Sequence, residues 1–167
     1  MITEKIITEK IKDLAVDINS KHHNDDTPVV FVGILNGCFM FYSDLIKEIY
    51  SPKIECDFVK IKSYEGKEKK DLIIIKNIEL SIEDKHVYIV DDIYDTGETV
   101  KYLYEKLKKL NPKSISAITL IKRENSVVDD NIKLYSAFNI DADKWVYGYG
   151  MDDSKGFNRN LPYILVE

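Results

Sequence analysis

The chain has 167 residues, the length of one domain, and 24 Lys and Arg against 29 Asp and Glu give a net charge of −5. That acidity argues against general nucleic-acid binding, which needs a basic footprint to displace phosphate counterions. A composition of 44% apolar and 32% charged residues argues against disorder. The longest apolar runs are strand-length pieces such as Val29-Val30-Phe31-Val32, far below the ~20 residues that cross a bilayer. No membrane partner is therefore expected. Residues 1–12 alternate charge with isoleucine and carry no signal-peptide stretch, while Cys38 and Cys56 lack any metal-ligand spacing. A reduced, cytoplasmic compartment is the expectation.

In chain order, Ile2, Ile6, Ile7, Ile11, Leu14, Ala15 and Ile18 recur at helical spacing and predict an amphipathic helix over about residues 3–20. Asn24-Asp25-Asp26-Thr27-Pro28 breaks it. Val29 to Leu35 is a continuous apolar run ending in Asn36-Gly37, a buried strand followed by a tight turn. Helical spacing returns from Phe39 to Tyr50, and Ile54 to Ile61 alternates like a strand. Ser63 to Lys70 is polar, and Leu72 to Ile75 predicts a short strand facing the previous one across that loop. Val87 to Val90 is another buried strand, and Val100, Leu103, Tyr104, Leu107 and Leu110 mark a helix stopped at Asn111-Pro112. Ser114–Ile121, Leu134–Phe138 and Trp145–Tyr149 complete the set of strands. Strands alternating with helices predict an α/β fold with a doubly wound, mostly parallel central sheet. Ligands of such sheets sit outside the carboxyl ends of the strands, where both Asn36-Gly37 and Thr96-Gly97 fall.

The most informative stretch is Val87-Tyr88-Ile89-Val90-Asp91-Asp92-Ile93-Tyr94-Asp95-Thr96-Gly97-Glu98-Thr99. A buried strand delivers two adjacent carboxylates, and a short loop then opens a helix. Consecutive backbone N–H groups, two hydroxyls and a helix N-terminus make an anion cradle suited to a phosphate monoester. Two carboxylates beside it suit sugar hydroxyls and Mg²⁺, which prefers oxygen ligands. Together they describe a site for a phosphorylated sugar. An acidic helix cap would account for Asp95 or Thr96 alone, but not for two further carboxylates at the end of a buried strand. The spacing of Asp92 and Asp95 does not fit a haloacid-dehalogenase nucleophile. The position of the pair, after several strands, does not fit a response-regulator receiver.

This segment resembles the phosphoribosyl-pyrophosphate motif of type I phosphoribosyltransferases. Further stretches, in the same order along the chain, resemble the hypoxanthine-guanine branch of that family. Gly33-Ile34-Leu35-Asn36-Gly37-Cys38-Phe39-Met40-Phe41 resembles its pyrophosphate loop and following helix. Ser63-Tyr64 resembles the start of its mobile loop, and Ile121-Lys122-Arg123 its base-recognition lysine. Lys144-Trp145-Val146-Tyr147-Gly148-Tyr149-Gly150-Met151-Asp152, with Arg159-Asn160-Leu161-Pro162-Tyr163-Ile164, resembles its base pocket. The resemblance covers about residues 29–167. It implies a single phosphoribosyltransferase domain over 1–167, with a core at about 27–138 and a small hood from 1–26 and 139–167.

The resemblance also implies a reaction. A purine nitrogen displaces pyrophosphate from the ribose of phosphoribosyl pyrophosphate through an oxocarbenium-like transition state, so hypoxanthine or guanine yields IMP or GMP. Asp91 and Asp92 would hold the ribose hydroxyls directly or through Mg²⁺. Asp95 would act as general base near N7. Asp95, Thr96, Gly97, Glu98 and Thr99 would hold the 5′-phosphate. Asn36 and Gly37 would bind pyrophosphate through backbone amides, next to a cis peptide between Leu35 and Asn36. Many relatives carry Lys or Arg where Asn36 stands, so that contact is weakened here. Lys122 would donate to a 6-oxo purine, leaving adenine penalised, Trp145 would stack on the base, and Val146 would offer main-chain groups to its edge. Asp152 would be the carboxylate at the base pocket and the second metal, with Asp153 an alternative, and Arg159 would bind pyrophosphate. Ser63 and Tyr64 would open a lid over pyrophosphate, shorter and more charged than usual.

Two other functions stay open at this point: a xanthine-preferring or other 6-oxopurine enzyme, and a nucleotide-sensing RNA-binding regulator on the same fold. The second would require a basic face. The nearest candidate, Lys106, Lys108, Lys109 and Lys113, reads as a solvated helix end. The family forms dimers and tetramers, and Phe41 and Tyr42, read as exposed, would suit a subunit interface.

Overall fold

The structure is a computed structural model that describes residues 1–50, 53–65 and 70–167, the side chains of 64, 65, 70 and 71 excepted. Its main element is a six-stranded sheet formed by β1 (Val29–Leu35), β2 (Ile54–Glu65), β3 (Lys70–Lys76), β4 (His86–Tyr94), β5 (Ser114–Arg123) and β6 (Lys133–Ile140). Their order is β3-β2-β1-β4-β5-β6. All neighbours are parallel except β2 and β3, which form an edge hairpin. The predicted doubly wound sheet is what the chain forms.

Helix α1 (Glu4–His22) starts at Thr3, whose hydroxyl accepts from the Ile6 amide at 3.5 Å, and has Lys21 and His22 in its last turn. These placements suit the helix dipole. Its stripe of Ile7, Ile11, Leu14, Ala15 and Ile18 is buried. With α2 (Phe39–Lys47) it covers one face of the sheet, against Phe31, Tyr88, Val90 and Ile118. Helix α3 (Glu98–Lys108) covers the other, packing Val100, Leu103 and Leu107 over Val30, Val32, Ile89 and Ala117. A sheet buried on both faces explains why β1 reads as an unbroken apolar run.

Three expectations are corrected. Phe41 and Tyr42 are buried, at 0% and 5% exposure, because α2 packs against both the sheet and its neighbour α1. Tyr42 donates through its hydroxyl to the Phe31 carbonyl at 3.0 Å. The exposed aromatics of this region are Phe39 and Tyr50. The helix predicted to reach Tyr50 ends at Lys47. The last predicted strand shrinks to β7 (Val146–Tyr147), which pairs with β8 (Leu165–Val166) in a separate two-stranded sheet. Trp145 lies just before it. An antiparallel bridge joins Ile2 to Ile164, with N–H···O distances of 2.8 and 3.0 Å.

Candidate active site

The parallel neighbours β1 and β4 deliver their carboxyl ends side by side. Beyond Leu35 the chain turns through Asn36-Gly37, and the Leu35–Asn36 peptide is cis, as the resemblance implied. Gly37 is required by contact. A Cβ there would overlap the Asp92 carboxylate, and one at Gly150 (φ +99°) would overlap the Gly37 carbonyl. Three segments remote in sequence thus meet at atomic contact around two glycines.

The acidic pair sits where β4 runs out of the core. The Asp91 carboxylate accepts from the Asp92 amide at 3.0 Å, and that of Asp92 from the Ile93 amide at 2.8 Å. Burial pushes both carboxyls above the usual range, and at Asp91 the neighbouring Asp92 charge adds to it. Neither carboxylate has a salt-bridge partner among the described residues. A buried pair of oxygen donors with excess negative charge is a fit for a hard divalent cation or for sugar hydroxyls.

After Tyr94 the chain leaves the sheet. Asp95 and Thr96 are exposed, and the Thr96 hydroxyl accepts from the Glu98 amide at 3.3 Å. Left-handed Gly97 (φ +79°) caps α3 without a side-chain bond. The first turn of α3, from Thr99 on, leaves backbone donors and the positive end of a helix dipole for an anion.

A cleft of about 320 Å³ opens beside the acidic pair, lined by Asp92, Ile93, Arg123, Trp145, Val146, Met151, Asp152, Asp153 and Ser154. Trp145 is 52% exposed and forms a wall, and its backbone is pinned to Glu167 by bonds of 3.0 and 2.9 Å. Lys122 precedes the cleft residue Arg123 near the end of β5, in register with Tyr94 and Asn139. Its ammonium donates to the Arg123 carbonyl at 3.3 Å. Arg159 bridges to Asp152 at 2.5 Å and donates to the Gly150 carbonyl at 2.8 Å. Asp153 accepts instead from the Lys155 and Phe157 amides and the Asn158 side chain, at 2.7 to 2.9 Å. Its carboxylate builds the turn. Ser63 is exposed on β2 opposite Leu72. The Tyr64 side chain and Gly66, Lys67, Glu68 and Lys69 of the expected lid lie outside the described residues.

Sequence reasoning missed two residues here. Arg123 is buried, and its guanidinium donates to the carbonyls of Asp141 and Lys144 at 3.1 and 2.6 Å, fixing the approach to Trp145. Lys60 is the register partner of Leu35 in β2, and its ammonium lies 3.5 Å from the Asn36 side-chain oxygen. The strand predicted at 54–61 could have pointed to Lys60, once its pairing with β1 was assumed.

A doubly wound sheet with a carboxylate pair, a phosphate-type helix start and an aromatic-walled cleft at one edge is the architecture of the type I phosphoribosyltransferases. The family described as phosphoribosyl transferase domain matches residues 1–154. The hypoxanthine-guanine phosphoribosyltransferase of Dictyostelium discoideum is 36% identical, over 98% of this chain and 92% of its own length. That of Bacillus subtilis is 34% identical, over 99% and 91%. A crystal structure of a hypoxanthine-guanine phosphoribosyltransferase from Bacillus anthracis matches with a TM-score of 0.84 and 32% identity, over 98% of this chain and 93% of that one. A hypoxanthine phosphoribosyltransferase structure from Staphylococcus aureus matches at 0.86 and 35%, over 98% and 88%. The chain belongs to the phosphoribosyltransferase family, in its hypoxanthine-guanine group.

Proposed function

We propose that the chain serves purine salvage, moving the 5-phosphoribosyl group of phosphoribosyl pyrophosphate onto hypoxanthine or guanine to give IMP or GMP and pyrophosphate. The observation that carries this reading is the meeting of Asp91-Asp92, the start of α3 and the Trp145 cleft at one sheet edge. Names of relatives at 34–37% identity do not favour a xanthine enzyme or an RNA-binding regulator.

The 5′-phosphate would take the backbone N–H groups and hydroxyls of residues 95–99. Asp91 and Asp92 would hold the ribose hydroxyls, and Asp95 would take the purine proton. Trp145 would stack on the base, Val146 would bind its edge and Lys122 would donate to O6. Asp91, Asp92 and Asp152 would hold Mg²⁺; Asp152 suits this better than Asp153, whose oxygens are committed to the turn. When bound, Mg²⁺ would supply charge neutralisation for the pyrophosphate. Asn36, Gly37 and Arg159 would bind pyrophosphate, with Ser63 and Tyr64 opening the lid over it. We read residues 1–26 and 139–167 as the hood over a 27–138 core, and place the activity in a cytoplasmic homodimer or homotetramer. Among the described residues no helix is long and apolar enough to cross a membrane.

Lys60 would replace the cation that Asn36 does not carry. Lys60→Ala should raise KM for phosphoribosyl pyrophosphate roughly tenfold, the size of one charge-assisted contact, and leave KM for the base unchanged. A KM effect on the base alone would remove Lys60 from this role.

The functional test is a spectrophotometric assay with phosphoribosyl pyrophosphate, Mg²⁺ and hypoxanthine, guanine, xanthine, adenine or uracil. Turnover of hypoxanthine and guanine, with adenine silent, is expected. Trp145→Ala should raise KM for the base by about 5- to 150-fold, as loss of ~1–3 kcal/mol of stacking predicts, and Trp145→Phe should recover most of it. Turnover of xanthine alone, or of no base, would overturn the reading.

A further inference from the structure

At the amino end of the sheet, opposite the site described above, α1, the loop after it and β4 bring His22, Asp25 and His86 together. A ring nitrogen of each histidine and a carboxylate oxygen of Asp25 lie within 4.8 Å of one another. One nitrogen of each ring is already held by a hydroxyl. His22 Nε2 is 2.8 Å from the Tyr88 hydroxyl, and its Nδ1 is buried without a hydrogen-bond partner. His86 Nδ1 is 2.6 Å from the Ser114 hydroxyl, which leaves Nε2 facing Asp25 at 2.8 Å.

We propose that His22, Asp25 and His86 form a binding site for a borderline divalent cation of the zinc type. Two imidazoles and one carboxylate, with water completing the shell, suit zinc and its neighbours rather than Mg²⁺. His22 binds through the nitrogen that Tyr88 leaves free, His86 through Nε2. Tyr88 and Ser114 are the outer partners that orient metal-bound imidazoles and fix their tautomers. Burial and the neighbouring His86 hold the His22 ring below its ordinary pKa. The opposing cations are Lys21, next to His22 in sequence, and Lys113. The Lys113 ammonium lies 3.2 Å from Asp25. It has a second acceptor in the Thr27 hydroxyl at 2.6 Å, so it keeps a partner when Asp25 turns to a cation. A cavity of about 160 Å³ borders His22 and offers an approach.

The chain has three histidines, so ring NMR reads the site directly. Zinc is titrated into ¹⁵N-labelled protein in Mg²⁺-free buffer, with the three imidazoles followed. His22 and His86 are expected to shift in slow exchange and saturate at one equivalent, with His23 unmoved. Zinc at the active-site carboxylates would leave all three rings unshifted. His86→Ala and Asp25→Ala should weaken binding more than about 100-fold, above the roughly 10–100-fold that Tyr88→Phe should cost as loss of an outer partner. His23→Ala should bind as the parent does. Unmoved His22 and His86 rings at one equivalent, or all three histidines shifting together only at large zinc excess, would overturn the site, and the parent titration decides this without any variant.

Discussion

Asp95→Asn is expected to lower kcat by about 10²–10⁴-fold, the range that a positioned general base contributes, with KM for phosphoribosyl pyrophosphate within a few-fold of the parent. Asp95 is exposed two residues past the cleft residue Ile93 and one past Tyr94, which is in register with Lys122. The replacement keeps its size and an acceptor oxygen but cannot take a proton from the purine. The proposed phosphate cradle would rest on backbone N–H groups of the same loop and on left-handed Gly97, neither of which the substitution alters. A loss in kcat without a loss in KM identifies an interaction made only in the transition state. Parent-like kcat would assign the proton to another group.

Asp91→Asn should act in opposite directions on two quantities. Activity at fixed Mg²⁺ should fall at least about 10²-fold, as when one preorganised electrostatic group is removed. Thermal stability without divalent cations should rise. Burial and the adjacent Asp92 charge raise the Asp91 carboxyl above its ordinary range, so between the two values the folded chain binds more protons than the unfolded one. Its stability therefore falls as pH rises through that window. An uncharged side chain lacks this dependence and still has an oxygen to accept from the Asp92 amide. Melting curves at several pH values, with and without Mg²⁺, check both signs. A variant that melts below the parent at neutral pH would show that the Asp91 charge stabilises the apo fold.

Much of this architecture was legible in the residues. The apolar runs at 29–35, 87–90 and 114–121 are β1, β4 and β5, because a sheet covered on both faces needs no alternation. The carboxylates and the α3 start were legible because their neighbours are local in sequence. Phe41 and Tyr42 misled because a helix covered on two sides hides a face that periodicity assigns to solvent. Arg123 and Lys60 were missed for a different reason. Each acts through a partner about 20 or more residues away, on a carbonyl or an adjacent strand, which side-chain type does not report. Spacing could not count the three hydrogen bonds that tie the Asp153 carboxylate to the following loop.

The bridge between Ile2 and Ile164 bears on how the protein is made. Most of the sheet can assemble from neighbours as synthesis proceeds, but Ile2 finds its partner only after Ile164 has left the ribosome. Pairings of such long sequence separation are slow to form. The same late segment carries Gly150, seated on the Gly37 carbonyl, and Arg159, bonded to Asp152. A nascent chain stalled short of it lacks one wall of the cleft. Substrate affinity should thus emerge in a single late step of synthesis rather than grow with chain length.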